Sequence, residues 1–308
     1  MIKKRFLINI LVGYAVVFFS SCTPLQSIHT PTSSPMPTIS NLIDSFSSSN
    51  VTERANAAYQ AGFFRNDPNK DVLIPYLVTA LQEPDCGWDC SRVRVAAAQS
   101  IRYLEIYNDQ AIEILTSWLT EAGHSDDELI QAVQTIGFFA HYSSNATPGL
   151  IHLMTESSSS SPQYYQIRTA ASDSLSKIGD PIAVPYLLSM LLLPDEIAWV
   201  QKSLSVSLAR YGTSAKCSIP YLIPILDSKM PESRIGAAII INQATGNDFP
   251  DGNPENWDPA NSAPWKFEKQ INGEYDIVIA AKGWWQNDGS SQSFPNCNKG
   301  LNGEVILP

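Results

Sequence analysis

The chain contains five cysteines, the residues most able to form disulfides or bind a metal. Cys86 and Cys90 flank Trp88 in a predicted loop, and a disulfide between them would pin that loop and display the indole ring. A zinc site needs four ligands, and no second cysteine or histidine pair lies at a suitable spacing. The spacing therefore favours a disulfide over free thiols, and favours a metal site least. Cys217 and Cys297 are a second candidate disulfide, although nothing in the sequence fixes the distance between them.

The residue patterns typical of catalysis are absent from the sequence. No H-E-x-x-H motif, G-x-S-x-G turn or glycine-rich phosphate loop occurs, and none of the four histidines is followed by glutamate. The carboxylates are scattered over predicted turns and helix starts. We therefore predict that the chain is not an enzyme and has no catalytic residue, no metal and no cofactor.

The amino-terminal residues 1–21 predict an export signal that ends at Cys22. A basic start precedes an apolar run from Phe6 to Phe19, whose 14 residues are few for a bilayer span of about 20 residues. The small residues before Cys22 resemble a bacterial lipoprotein lipobox, which implies that Cys22 carries a fatty acid such as palmitate. An ordinary signal peptide and an uncleaved anchor are the alternatives. Residues 22–40 are rich in Ser, Thr and Pro and predict a flexible tether.

The charge of the chain narrows the class of partner. The formal charge is −10 and becomes −13 once the three basic residues of the signal are removed. A surface this acidic repels nucleic acid and anionic lipid headgroups. We therefore expect no nucleic-acid partner, and expect contact with the membrane only through the lipid on Cys22.

An internal repeat organises the middle of the chain. The phrase at 74–77, Ile-Pro-Tyr-Leu, returns as Val-Pro-Tyr-Leu at 184–187 and unchanged at 219–222, and related phrases fill the same slot between them. The leucines of this slot are Leu77, Leu115, Leu153, Leu187 and Leu222. A near-constant step of this kind predicts stacked copies of one helix pair, because a single pair cannot bury its apolar face alone.

A second slot recurs near the start of the second helix of each pair. It holds an arginine followed three residues later by alanine, and small residues on that face let paired helices approach closely. The arginines are Arg54, Arg94, Arg168 and Arg234, with Leu129 and Gln201 in the remaining units.

These phrases, with Gly179-Asp180-Pro181 at a turn between units, resemble HEAT repeats of the short form seen in phycobilisome-lyase-type proteins. The resemblance implies an all-α solenoid over 41–246, with five clear helix pairs and a degenerate first pair that caps the array. It also implies a groove lined by second helices as the docking surface. A polar insertion from Ser157 to Ser161 lengthens one loop.

The repeated arginines have two interpretations. Arg94, Arg168 and Arg234, with Trp88, are candidate contacts for a ligand in the groove. A repeat-wide ladder of charge-assisted bonds to neighbouring loops explains the recurrence better, since a feature of every unit seldom marks one site.

Residues 247–308 end the period and predict an irregular, tryptophan-rich extension that packs on the last repeat. The tryptophans of this extension are Trp257, Trp265, Trp284 and Trp285. They cover the open end of the solenoid, or else form an aromatic platform for sugars. A short helix is predicted at 275–286.

Together these features predict a membrane-anchored scaffold for protein–protein contact in the bacterial cell envelope, facing the periplasm or the exterior. Binding of carbohydrate or cell wall through exposed tryptophans is the alternative. A third hypothesis, a lyase or chaperone-like enzyme for a bound pigment, conflicts with the export signal.

Overall fold

A computed structural model describes the protein at residues 37–156, 162–193, 196–250, 274–297, 299–300, 304 and 306–307. Several sequence predictions concern residues outside these ranges. They are the signal at 1–21, the lipidation site Cys22, nearly all of the tether at 22–40, the insertion from Ser157 to Ser161, and both Trp257 and Trp265.

The described ranges contain α-helices and short 3-10 helices but no β-strand. The α-helices are α1 (Ile39–Phe46), α2 (Val51–Ala61), α3 (Ile74–Leu81), α4 (Trp88–Leu104), α5 (Asp109–Trp118), α6 (Asp126–Phe138), α7 (Thr147–Glu156), α8 (Pro162–Ile178), α9 (Val184–Leu191), α10 (Ala198–Ala209), α11 (Ile219–Leu222), α12 (Pro231–Thr245) and α13 (Asp276–Asn287). α1 to α12 form six consecutive pairs. The second helices pack on one another in chain order, and contacts between first helices join α1 to α3, α3 to α5 and α7 to α9. The prediction of an all-α solenoid of five to six HEAT-like pairs is confirmed.

Local sequence explains where the helices begin. α1 starts two residues before the predicted array because Thr38 and Asn41 form a reciprocal capping box. Proline stands in the first turn of α3, α9 and α11, where its missing N–H costs no hydrogen bond. Gly179 ends α8 at φ +75°, a conformation that side chains with a Cβ rarely adopt.

The leucines of the repeated phrase lie in one continuous core. Leu77, Leu115, Leu187 and Leu222 are fully buried, and Leu153 is nearly so. Each sits on a first helix and packs towards the second-helix layer. Burial of this size in every unit is what holds a thin helix pair to its neighbours.

The described part of the extension forms an irregular cap on the last pair, as predicted. α13 packs against α12 and against the 3-10 helix Ile223–Asp227. Trp284 and Trp285 fold over Gly289, where an added Cβ would lie 2.7 Å from both indole rings. These two tryptophans are therefore partly packed and form no open platform.

Candidate functional site

The repeated arginines lie at the joints between consecutive helix pairs. Each guanidinium contacts a glutamate of the following pair or, for the last arginine, a glutamate just before α13. The ion pairs are Arg54–Glu83, Arg94–Glu128, Arg168–Glu196 and Arg234–Glu274. Since the carboxylate always comes from the next element in the array, this slot links neighbours.

The same guanidinium groups also contact loops of their own unit. Three of them donate to a main-chain carbonyl: Arg54 to Ser48, Arg94 to Glu83 and Arg234 to Ser228, over 2.6, 2.7 and 2.8 Å. Arg168 instead lies over the Tyr164 ring, 4.2 Å from its centroid. This is the geometry of a structural ladder. Each guanidinium of Arg94, Arg168 and Arg234 is engaged in these contacts, which do not support a role for the three arginines in binding a ligand in the groove.

Burial disfavours the charged forms of the side chains at two of these joints, and the resulting pKa shift of the glutamate differs between them. At the Arg94–Glu128 joint, burial favours the neutral carboxyl, but hydrogen bonds from Arg94 and Ser125 outweigh it and lower the pKa of Glu128. At the other joint, burial lowers the pKa of Arg168 to about 10 and raises the pKa of Glu196. Desolvation therefore works against the second ion pair more than against the first.

A hydroxyl slot, which sequence analysis missed, also joins the second helices. Six residues after the arginine slot, a Ser or Thr donates to a main-chain carbonyl of the preceding second helix. These bonds are Ser100 to Ala58, Thr135 to Ala98 and Ser174 to Val133, over 2.6, 3.1 and 2.9 Å. Aligning the units on the arginines would have revealed the slot, because its members share one register.

Cys86 and Cys90 are joined by a disulfide, with their Cα atoms 5.4 Å apart. The prediction that both cysteines lie in a loop is wrong for Cys90. α4 begins at Trp88, so Cys90 lies in the first turn of this helix. Trp88 is 68 % exposed. Cys217 and Cys297 are free thiols in contact with each other rather than a disulfide.

The first three pairs carry a row of exposed aromatic rings, at the ends of α4 and α6 and in the 3-10 helix Gly62–Phe64 that follows α2. Nine residues after the arginine slot stand Phe63, Tyr103 and Phe138, with 52 %, 45 % and 46 % of their surfaces exposed. We call these three residues the aromatic row. In the next two pairs the same position holds Lys177 and Arg210, which both pair with Asp173.

Polar contacts surround Tyr103, the middle member of the aromatic row. Arg102 lies over the Tyr103 ring, 5.6 Å from its centroid, and donates to Gln131 and Gln134 on the next second helix. Gln99 donates to the Tyr103 hydroxyl over 3.1 Å. An exposed ring held in this way differs from the scattered apolar side chains of an ordinary surface. The shared register of the three rings is visible in the sequence, but their exposure is not.

A separate cleft lies between the end of α9 and the start of α12. Leu193 and Met230 line its exposed edge, and Gln201 and Ser233 meet at its floor through a 3.1 Å hydrogen bond. The cleft presents no ionisable side chain, so it offers a place for an apolar group and no chemistry.

The described ranges contain no cluster of three or more His, Cys, Asp or Glu side chains that could hold a metal ion. They also contain no helix with the length and hydropathy of a membrane span.

The fold and these joints define a HEAT-like helical repeat protein. No protein-family model matches the chain, and no curated protein matches it either. Among solved structures, the complex of CpcE and CpcF of phycocyanin lyase from Nostoc sp. PCC7120 is similar, with a TM-score of 0.48 and 20 % identity. The match covers 72 % of this chain and 82 % of that one.

This comparison corrects the prediction that the chain is not an enzyme. The similar structure belongs to a lyase, so the absence of familiar catalytic motifs is no ground for classifying the chain as a non-enzyme. The likeness concerns helical architecture, and at this level it transfers no residue role.

Proposed function

We propose that this protein is a scaffold that binds an extended peptide segment of a protein partner along the aromatic row. The observation that carries the proposal is the exposure of Phe63, Tyr103 and Phe138 at one register of three consecutive units, with Tyr103 and Phe138 on α4 and α6 and Phe63 in the 3-10 helix that follows α2. Aromatic side chains are typical anchors of protein–protein interfaces.

The spacing of the row supports an extended ligand. Packed helices lie about 8–10 Å apart. Three residues of polyproline II complete one turn and span about 9 Å, so every third side chain returns to the same face. A peptide with an apolar side chain at every third residue therefore meets one ring per helix, while Gln99 and Gln134 lie beside the rings with amides that can pair with its backbone.

Binding to an array of synthetic peptides tests the proposal. One set carries apolar residues at every third position, and a matched set has the same composition at every second position. We expect the intact chain to prefer the first set, and Tyr103→Ala or Phe138→Ala to cost about 1–2 kcal/mol each. Lys177→Ala is the control, because it occupies the same register outside the row. Equal binding of both peptide sets, or an equal loss in the control, contradicts the proposal.

Carbohydrate binding remains a second candidate because Trp88 is the most exposed large ring among the described residues. It lies on α4 fifteen residues before Tyr103, about 22 Å away along the helix axis. Oligosaccharide titration followed by tryptophan emission separates the two functions. A response abolished by Trp88→Ala and unchanged by Tyr103→Ala supports the sugar site, whereas no response removes it.

We further propose that the protein is lipid-anchored at Cys22 in the bacterial cell envelope and faces the periplasm or the exterior. The basic start, the apolar run and the small residues before Cys22 support this location. Labelling cells with a clickable palmitate analogue tests it. We expect label on the membrane-fraction protein and none on Cys22→Ala. Label that persists in the variant contradicts the anchor.

A further inference from the structure

Cys217 and Cys297 form a thiol pair that joins the array to its C-terminal extension. Cys217 lies in the 3-10 helix Gly212–Ser218, which leads into α11. Cys297 lies in the extension, after α13 and before Glu304. The two thiols are free, and they are within hydrogen-bonding distance of each other. Two cysteines distant in sequence thus meet at one contact.

The two thiols differ in access. Cys297 is 5 % exposed and belongs to the core, whereas Cys217 is half-buried. The hydrogen bond from Cys297 lowers the pKa of the Cys217 thiol. The same bond, together with burial, raises the pKa of the Cys297 thiol. The accessible sulfur is therefore also the better nucleophile.

The pair sits among the non-covalent contacts that hold the extension in place. On one side, Lys282 of α13 pairs with Asp227 over 2.8 Å. On the other, the Tyr186 hydroxyl of α9 donates to Glu304 over 2.5 Å. The extension thus runs back along the first-helix layer, and the thiol contact lies between its attachments.

We propose that Cys217 and Cys297 are an oxidation site, at which exchange with a small disulfide covalently fastens the C-terminal extension to the last repeat. The Cys217 thiolate attacks one sulfur of the small disulfide and forms a mixed disulfide, and the first small thiol leaves. The Cys297 sulfur, after losing its proton, attacks Cys217 and expels the second small thiol. The two S–H hydrogens of the chain end on the two released thiols, so the chain is oxidised and the small disulfide is reduced.

Reaction of the full-length reduced chain with oxidised glutathione tests this site. Peptide mapping without reductant distinguishes a Cys217–Cys297 cross-link from the Cys86–Cys90 disulfide. We expect the cross-link to form in the wild-type chain and to slow amide exchange in α13 by about tenfold. Glutathione retained on Cys217 without a cross-link overturns the proposal.

Single variants test the order of the two steps. Cys297→Ser is expected to accumulate glutathione on Cys217, because no second thiol resolves the mixed disulfide. Cys217→Ser is expected to react at Cys297 about tenfold more slowly, because that sulfur is buried. Equal rates at the two cysteines overturn the proposed order. Cys297→Ala serves as a second variant with an apolar replacement, and a helical circular dichroism spectrum checks that each variant folds.

Discussion

Replacing Gly137 by alanine tests how closely two neighbouring second helices approach. Gly137 is buried near the end of α6, facing α8. A Cβ at this position would lie 2.2 Å from the Ser174 hydroxyl oxygen, 2.8 Å from its Cβ and 3.1 Å from its Cα. The last two atoms cannot move without the backbone of α8, so the two helices must separate.

The expected destabilisation is the balance of three contributions. Overpacking costs about 1–3 kcal/mol. Separation of the helices also weakens the bond from the Ser174 hydroxyl to the Val133 carbonyl, now 2.9 Å long, which is worth about 1 kcal/mol. Alanine recovers about 1 kcal/mol through its higher helix propensity. We therefore expect Gly137→Ala to lower the free energy of unfolding by about 1–3 kcal/mol.

Gly283→Ala is the matched control. Gly283 lies in α13, and an added Cβ there meets no atom within 4 Å. The control should gain up to about 1 kcal/mol from helix propensity alone. Urea unfolding followed by circular dichroism compares the midpoints, and hydrogen exchange in α6 and α8 shows whether the loss is local, since repeat arrays need not unfold in one step.

A double variant completes the test. Ser174→Gly in the Gly137→Ala background moves the missing side chain to the opposite helix and should restore part of the lost stability. A Gly137→Ala midpoint at or above that of Gly283→Ala would refute the close approach of α6 and α8.

Three further changes test two contacts between neighbouring units and the local Cys86–Cys90 disulfide. The pKa of Glu128 is lower in the folded chain, so its stabilisation is present above the unfolded pKa and is lost as pH falls through the folded value. The melting temperature should therefore fall less steeply between pH 7 and pH 3 in Glu128→Gln, which also costs about 3 kcal/mol at pH 7 because Arg94 loses its buried carboxylate partner. Thr135→Val keeps the shape and loses one hydroxyl bond, so urea unfolding should show a loss of about 1 kcal/mol; an unchanged midpoint contradicts the hydroxyl slot. Reducing Cys86–Cys90, which encloses few residues, should cost about 2 kcal/mol in the same assay, and a larger loss contradicts a local role.

Helix pairs were predictable because their signals are local. The proline and leucine of the phrase at 219–222 predicted α11, although this helix is only 4 residues long. The 3-10 helices that lead into α3, α9 and α11 were not predicted. Their i to i+3 bonds leave no apolar period of their own in so short a segment.

The candidate site was predictable only in part. Arginine recurs in register, so a ladder was expected, and the separation of its partners shows why the acids were not named. Each glutamate lies 29, 34, 28 or 40 residues after its arginine. This variation follows loop length, which carries no periodic signal.

The sequence by itself determined the all-α class, the number of helix pairs and the arginine register, because helical periodicity and the repeat of one unit can both be followed along the chain. Only the tertiary structure decided that Cys217 meets Cys297 and that Phe63, Tyr103 and Phe138 remain exposed. Contact and exposure depend on which face each neighbouring helix covers. That choice is made by packing across the whole array, where residues far apart in the chain compete for the same core.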